Sequence, residues 1–163
     1  MMTQLKYIKP FLFFIPALIL QLTVVPLISI ENVVPDLITI VLVYAVLLNG
    51  QFYGTAAGFV FGFLFDLISG GVLGSAMFSK TLAGFITGYF FNENKIEYYT
   101  KTYWFTIIVF IIAVVESIVY TALSSSAQKS FIMMLFWGGI LPGLYTAVIS
   151  FPFVIIKRKN EIE

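Results

Sequence analysis

GTAAGFVFGFLFDLISGG, residues 54–71, is the stretch that decides how this chain is read. Gly54, Gly58 and Gly62 recur every fourth residue; the next rung is Asp66, and Gly70 follows it. Small residues four apart lie along one side of a helix and let a neighbouring backbone approach to contact. Each step of four overshoots a full turn by about 40°, so the ladder runs obliquely and suits a right-handed crossing. Between the rungs the stretch is apolar, with Phe59, Phe61, Phe63 and Phe65 crowding the other faces. An ionisable rung in such a helix demands a partner, and what partner it needs depends on the surrounding solvent.

Composition identifies that solvent. Hydrophobic residues make up 60% of the 163 and charged residues 10%, and the mean hydropathy is +1.01. A soluble domain carries about 25% charged residues. So few charges would leave most of a water-facing surface uncovered, so the sequence predicts one integral membrane domain over residues 1–163. The chain has neither cysteine nor histidine. That excludes disulfides, thiol chemistry and every histidine-based metal, haem or acid–base site, and no cofactor is expected. Serine proteolysis of the rhomboid type would lack its base. An aspartyl dyad would have only Asp36 to set beside Asp66, at the end of a different span. Asp66 with Glu116 has no nucleophile or oxyanion hole near it in the sequence, so the expectation is a protein without enzymatic activity. No nucleic-acid partner is expected.

Apolar runs predict an all-α fold of six transmembrane helices, at about 11–30, 36–49, 52–68, 72–91, 103–123 and 131–156. A bilayer requires roughly 20 residues, so the second run reads either as a full span or as a tilted, partly buried or re-entrant helix. The first follows Lys6 and Lys9 as a signal peptide would, but it is too long for such a peptide and lacks a small-x-small site, so it is expected to be retained. With six spans, Lys6, Lys9, Lys95, Lys101, Lys157, Arg158 and Lys159 all fall inside, and both termini are cytoplasmic. Lys129 falls outside, where Glu31 and Asp36 sit in the first outer connection. Tyr98, Tyr99, Tyr103 and Trp104 mark an interface.

The fourth run carries a second ladder, Ala76, Lys80, Gly84 and Gly88, and the turn SGG joins it to the first, so the two helices run antiparallel. Counting from that turn predicts an Asp66–Lys80 ion pair in the outer half of the membrane, with Glu116 of the fifth run sharing Lys80. Two readings of these charges stay open: a substrate, proton or ion site, or a network that fixes helix register. The ladders likewise read as intramolecular packing or as an interface with another protein. Gln21 is a polar group for bonding a neighbouring helix. Pro16, Pro26, Pro142 and Pro152 are expected to bend their helices. Gly138, Gly139 and Gly143 with Pro142 mark a flexible or closely packed place, and the tail KRKNEIE a positive-inside anchor.

The order of these motifs resembles the MreD family of rod-shape-determining membrane proteins. Its pattern is matched by Pro35, Asp36 and Leu37 at the start of the second span, then by Gly58, Gly62, Asp66, Ser69, Gly70, Leu73 and Gly74; the matching block covers about residues 35–90. The resemblance implies a multi-pass subunit of the bacterial inner membrane that serves the cell-elongation complex without known catalysis. It implies association with MreC, a single-span protein with an extracytoplasmic coiled coil, and through it with MreB, RodA and a class B penicillin-binding protein. The family is also similar in architecture to the substrate-binding subunits of energy-coupling-factor transporters, and that supplies the rival expectation, a small-molecule transporter subunit. Lys80 belongs to no motif carried by the resemblance.

Overall fold

The computed structural model describes residues 2–31, 33–124 and 130–159, and within them the side chains of 10–31, 33–124 and 130–155. Described residues are helical apart from short connections and one antiparallel bridge between Ile30 and Val33. The helices are α1 (Met2–Thr23), α2 (Leu37–Asn49), α3 (Gln51–Ser69), α4 (Ser75–Thr87), α5 (Ile96–Lys101), α6 (Trp104–Ser124), α7 (Phe131–Leu135) and α8 (Leu141–Lys159). A π-helical stretch, Phe136–Ile140, joins α7 to α8. Each of the six apolar runs contains a helix, and α5 is an addition inside the connection carrying Lys95 and Lys101. Lys129 and the side chains of Lys6, Lys9, Lys157, Arg158 and Lys159 lie outside what is described.

The boundaries differ from the apolar runs where backbone chemistry intervenes. α1 stops at Thr23, and Pro26 lies in a short 3-10 turn, Val25–Ile28, that follows it. Proline has no N–H to continue an α ladder, so Pro26 ends the helix where the sequence suggested a bend. α4 begins at Ser75 because the turn before it takes Gly70 and Gly74 into left-handed conformations, φ +68° and +97°. A Cβ at Gly70 would meet open space. Gly70 therefore serves the turn and not helix packing, which corrects its place in the ladder.

α2 is the core. Ile38, Leu42, Val43, Ala45 and Val46 have no exposed surface, and α1, α3, α4 and α6 surround them. A helix apolar all round is stable only when wrapped on every side. With 13 residues it is about 20 Å long, so of the readings open for the second run the structure favours the buried one. From α1, Phe14 stacks on Phe61 of α3 at 3.9 Å between ring centres, and Phe105, Ile108 and Ile112 of α6 close the other side. Phe61 thus points into the core, while Phe59 and Phe63 stay exposed. Among the described residues, Gln51–Ser69, Trp104–Ser124 and Phe131–Ile155 are the three helices long and apolar enough to cross a membrane.

The two small-residue ladders face each other. A Cβ added at Gly54 would meet the Gly84 carbonyl, one at Gly58 the Lys80 carbonyl, and one at Gly62 the Ala76 carbonyl. Each step of four up α3 is matched by a step of four down α4, the register of an antiparallel hairpin whose backbones touch. Gly88, past the end of α4, lies against Gln51 in the same register. A similar contact joins α6 to the π stretch and α8, where Gly138, Gly139 and Gly143 lie on Thr121, Ile118 and Val114. That place is closely packed.

Candidate functional site

One end of α2 gathers the polar side chains of four other helices. Asp36 caps α2 by accepting the Thr39 N–H through Oδ1 at 3.0 Å, satisfying one of the orphan donors of a helix start. Gln21 of α1 brackets the same turn: its Nε2 donates to the Pro35 carbonyl at 3.0 Å, and its Oε1 accepts the Leu37 N–H at 2.8 Å. From α8, Thr146 Oγ1 accepts the Asp36 N–H at 2.9 Å. A helix end placed among apolar neighbours must satisfy its backbone this way, because an unpaired amide costs a few kcal/mol.

Into this end reaches Lys80 of α4. Its Nζ donates to Asp36 Oδ2 and, at 3.2 Å each, to Thr39 Oγ1 and Glu116 Oε1. Ser79 Oγ donates to the same Glu116 oxygen at 3.1 Å. Lys80 is 1% exposed and Glu116 4%, so the cluster is one ammonium held between two carboxylates and capped by two hydroxyls. Burial of ions at this depth is tolerated only with full pairing and extra hydrogen bonds.

Asp66 is elsewhere. Its carboxylate accepts the N–H groups of Gly74, Ala76 and Met77 at 2.9, 3.1 and 3.0 Å. Gly74 occupies the N-cap of α4 and has no side chain to cap with, so Asp66 caps α4 from the neighbouring helix. Negative charge at that terminus is also favoured by the helix dipole. The expected Asp66–Lys80 pair is therefore corrected. Lys80 stands level with Gly58, two rungs or about 12 Å along α3 from Asp66. The sequence count failed because it left the orphan amides of α4 out of the search for partners, and these take the Asp66 carboxylate at the head of the helix while Lys80 lies further along it.

What the sequence reading missed is Asp36 as partner of Lys80, together with Thr39, Ser79 and Thr146. By run length and charge alone, Asp36 falls in an outer connection. A signal was present: an aspartate three residues before a threonine at the head of an apolar run is a helix-cap pattern, and a cap on a helix that packs on all sides is within reach of its neighbours' side chains. Against the cluster lies a cavity of about 240 Å³, lined among others by Asp36, Phe65, Lys80, Glu116, Tyr120 and Trp137. Among the described residues no group of three or more acidic, histidine or cysteine side chains is arranged to hold a metal ion.

The family profile described as rod shape-determining protein MreD matches residues 1–159. This chain belongs to the MreD family. No curated protein and no solved structure matches it. MreD is a family of membrane proteins concerned with rod-shape determination and not known as enzymes. In this member the Pro35–Asp36–Leu37 block is the turn that Gln21, Lys80 and Thr146 hold, and the Asp66 to Gly74 block is the cap and turn of the α3–α4 hairpin.

Proposed function

We propose that this MreD-family protein is a non-enzymatic scaffold of the bacterial cell-elongation complex, a single membrane domain in the inner membrane with six crossing helices and both termini in the cytoplasm. The observation that carries the reading is the family match over residues 1–159. Its partner is the transmembrane region of MreC, and through it MreB, RodA and a class B penicillin-binding protein. The geometry agrees with a rigid support. The glycines of α3 and α4 are spent on each other and leave no backbone groove between them. Partner helices are then met by the outer apolar faces, where Phe59 and Phe63 of α3 and Ile107 and Ile111 of α6 are exposed.

The cavity beside Lys80 is the observation on the side of a small-molecule transporter subunit. Affinity purification of the tagged protein from its native membranes in mild detergent, followed by mass spectrometry, separates the two. Recovery of a single-span coiled-coil protein with cell-wall synthases is the expected result. Paired cytoplasmic ATPases with a membrane coupling subunit would overturn the scaffold reading.

A further inference from the structure

Charge and hydrogen-bond capacity around the cavity are unbalanced in one direction. The cluster holds two carboxylates, Asp36 and Glu116, and one ammonium, Lys80. All three donors of that ammonium are engaged, by Asp36, Thr39 and Glu116. No lysine donor is left for an anion. Glu116, in contrast, receives Lys80 and Ser79 through Oε1 alone, and no hydrogen-bond donor among the described residues reaches Oε2. Phe65, Tyr120 and Trp137 contribute aromatic walls, and aromatic faces attract an organic cation. Trp137 is 43% exposed and Val34 39%, so the cavity reaches the surface at its rim. At about 240 Å³ it lies below the roughly 300–1,000 Å³ of sites for drug-sized ligands.

We propose that this cavity binds a primary ammonium group, either of a small free amine or of an ethanolamine lipid head group. Glu116 Oε2 accepts one N–H of the ligand, its charge balances the surplus carboxylate, and the rings of Tyr120 and Trp137 cover the adjoining carbon chain.

The test uses the full chain in lipid nanodiscs. Trp104 and Trp137 are the two tryptophans, so Trp104→Phe leaves Trp137 as the reporter. At constant ionic strength, ethanolamine in phosphatidylcholine discs should change Trp137 fluorescence saturably; tetramethylammonium, which keeps the contact with the rings but has no N–H for Glu116, should half-saturate at a clearly higher concentration, and sodium should give no change. Glu116→Gln should raise the half-saturating concentration at least about tenfold, as expected for losing a charged hydrogen bond. Ser117→Leu, which adds bulk at another lining position and removes no charge, should do the same if Glu116→Gln does not fold. If the natural occupant is lipid, the Trp137 spectrum is already shifted in phosphatidylethanolamine discs and added ethanolamine changes nothing there. If it is a free amine, the two kinds of disc respond alike. Equal responses to sodium or tetramethylammonium, an undiminished response in the variants, or no difference between the disc types together with no response to ethanolamine would each overturn the proposal.

Discussion

Lys80 carries the only positive charge of its cluster, so replacing it by Met leaves the buried Glu116 and the partly buried Asp36 with no counter-ion. Breaking a buried pair on one side costs about 3–5 kcal/mol, whereas removing all the charges together is often nearly neutral. Lys80→Met should therefore lower folded yield and thermal stability in detergent more than the triple change Lys80→Met, Asp36→Asn, Glu116→Gln; equal losses would refute the cluster. Asp66 belongs to a different network, bound to the amides of Gly74, Ala76 and Met77, and this gives a second, independent expectation. Asp66→Asn and Lys80→Met should be additive within about 0.5 kcal/mol in thermal unfolding, while Asp36→Asn and Lys80→Met should show coupling above that. Coupling of Asp66 to Lys80 instead would restore the pair expected from sequence. From residue types alone, the need of these charges for partners was legible. Which carboxylate goes to the lysine was not, because the choice depends on backbone amides at the head of α4 that claim Asp66 and on a tertiary contact that brings Asp36, 44 residues away, to Lys80.

The α3–α4 hairpin turns the glycine ladder into a register that can be tested by volume. At Gly58 an added Cβ would land on the Lys80 carbonyl, a backbone atom that cannot swing aside, whereas at Gly71 it would find only ordinary contacts, with Ser69 Oγ at 3.6 Å and Tyr120 Oη at 3.8 Å. Gly58→Ala should then cost about 1–3 kcal/mol through overpacking, and by pushing α4 outward it should also loosen the hold of Lys80 on Asp36 and Glu116. Gly71→Ala should change the melting temperature little. Comparable melting temperatures for the two variants would show that the backbones do not touch. The hairpin itself could be read from the spacing of small residues and a short turn. The caps could not, since the residue that caps α4 sits eight positions upstream of Gly74 on another helix, and no local pattern announces it.

At the scale of the whole molecule, apolar run lengths locate helical segments, with bounds shifted by proline and glycine turns, but the number of membrane crossings does not follow from length. α2, with 13 residues, is shorter than a bilayer requires and lies inside the bundle, so its ends are satisfied by protein groups where a lone span would need the lipid–water boundary. The orientation proposed from the basic residues therefore needs its own measurement, and the absence of cysteine makes one direct. Single cysteines at Ile30, Asn94 and Ser130, all exposed, sample three connections. If six helices cross with both termini inside, a membrane-impermeant maleimide added to intact spheroplasts should label the cysteines at 30 and 130, and the one at 94 only after permeabilisation. Labelling of position 94 from outside with 30 and 130 protected would invert the protein, labelling of 30 and 94 together would mean that an even number of α2, α3 and α4 cross, and protection of 130 together with labelling of 30 alone would mean that α6 does not cross between positions 94 and 130. In each of these cases the cavity beside Lys80, which is lined by Trp137 from the π stretch and by Asp36 at the head of α2, would face the other side of the membrane or none, and its ligand would have to be sought there.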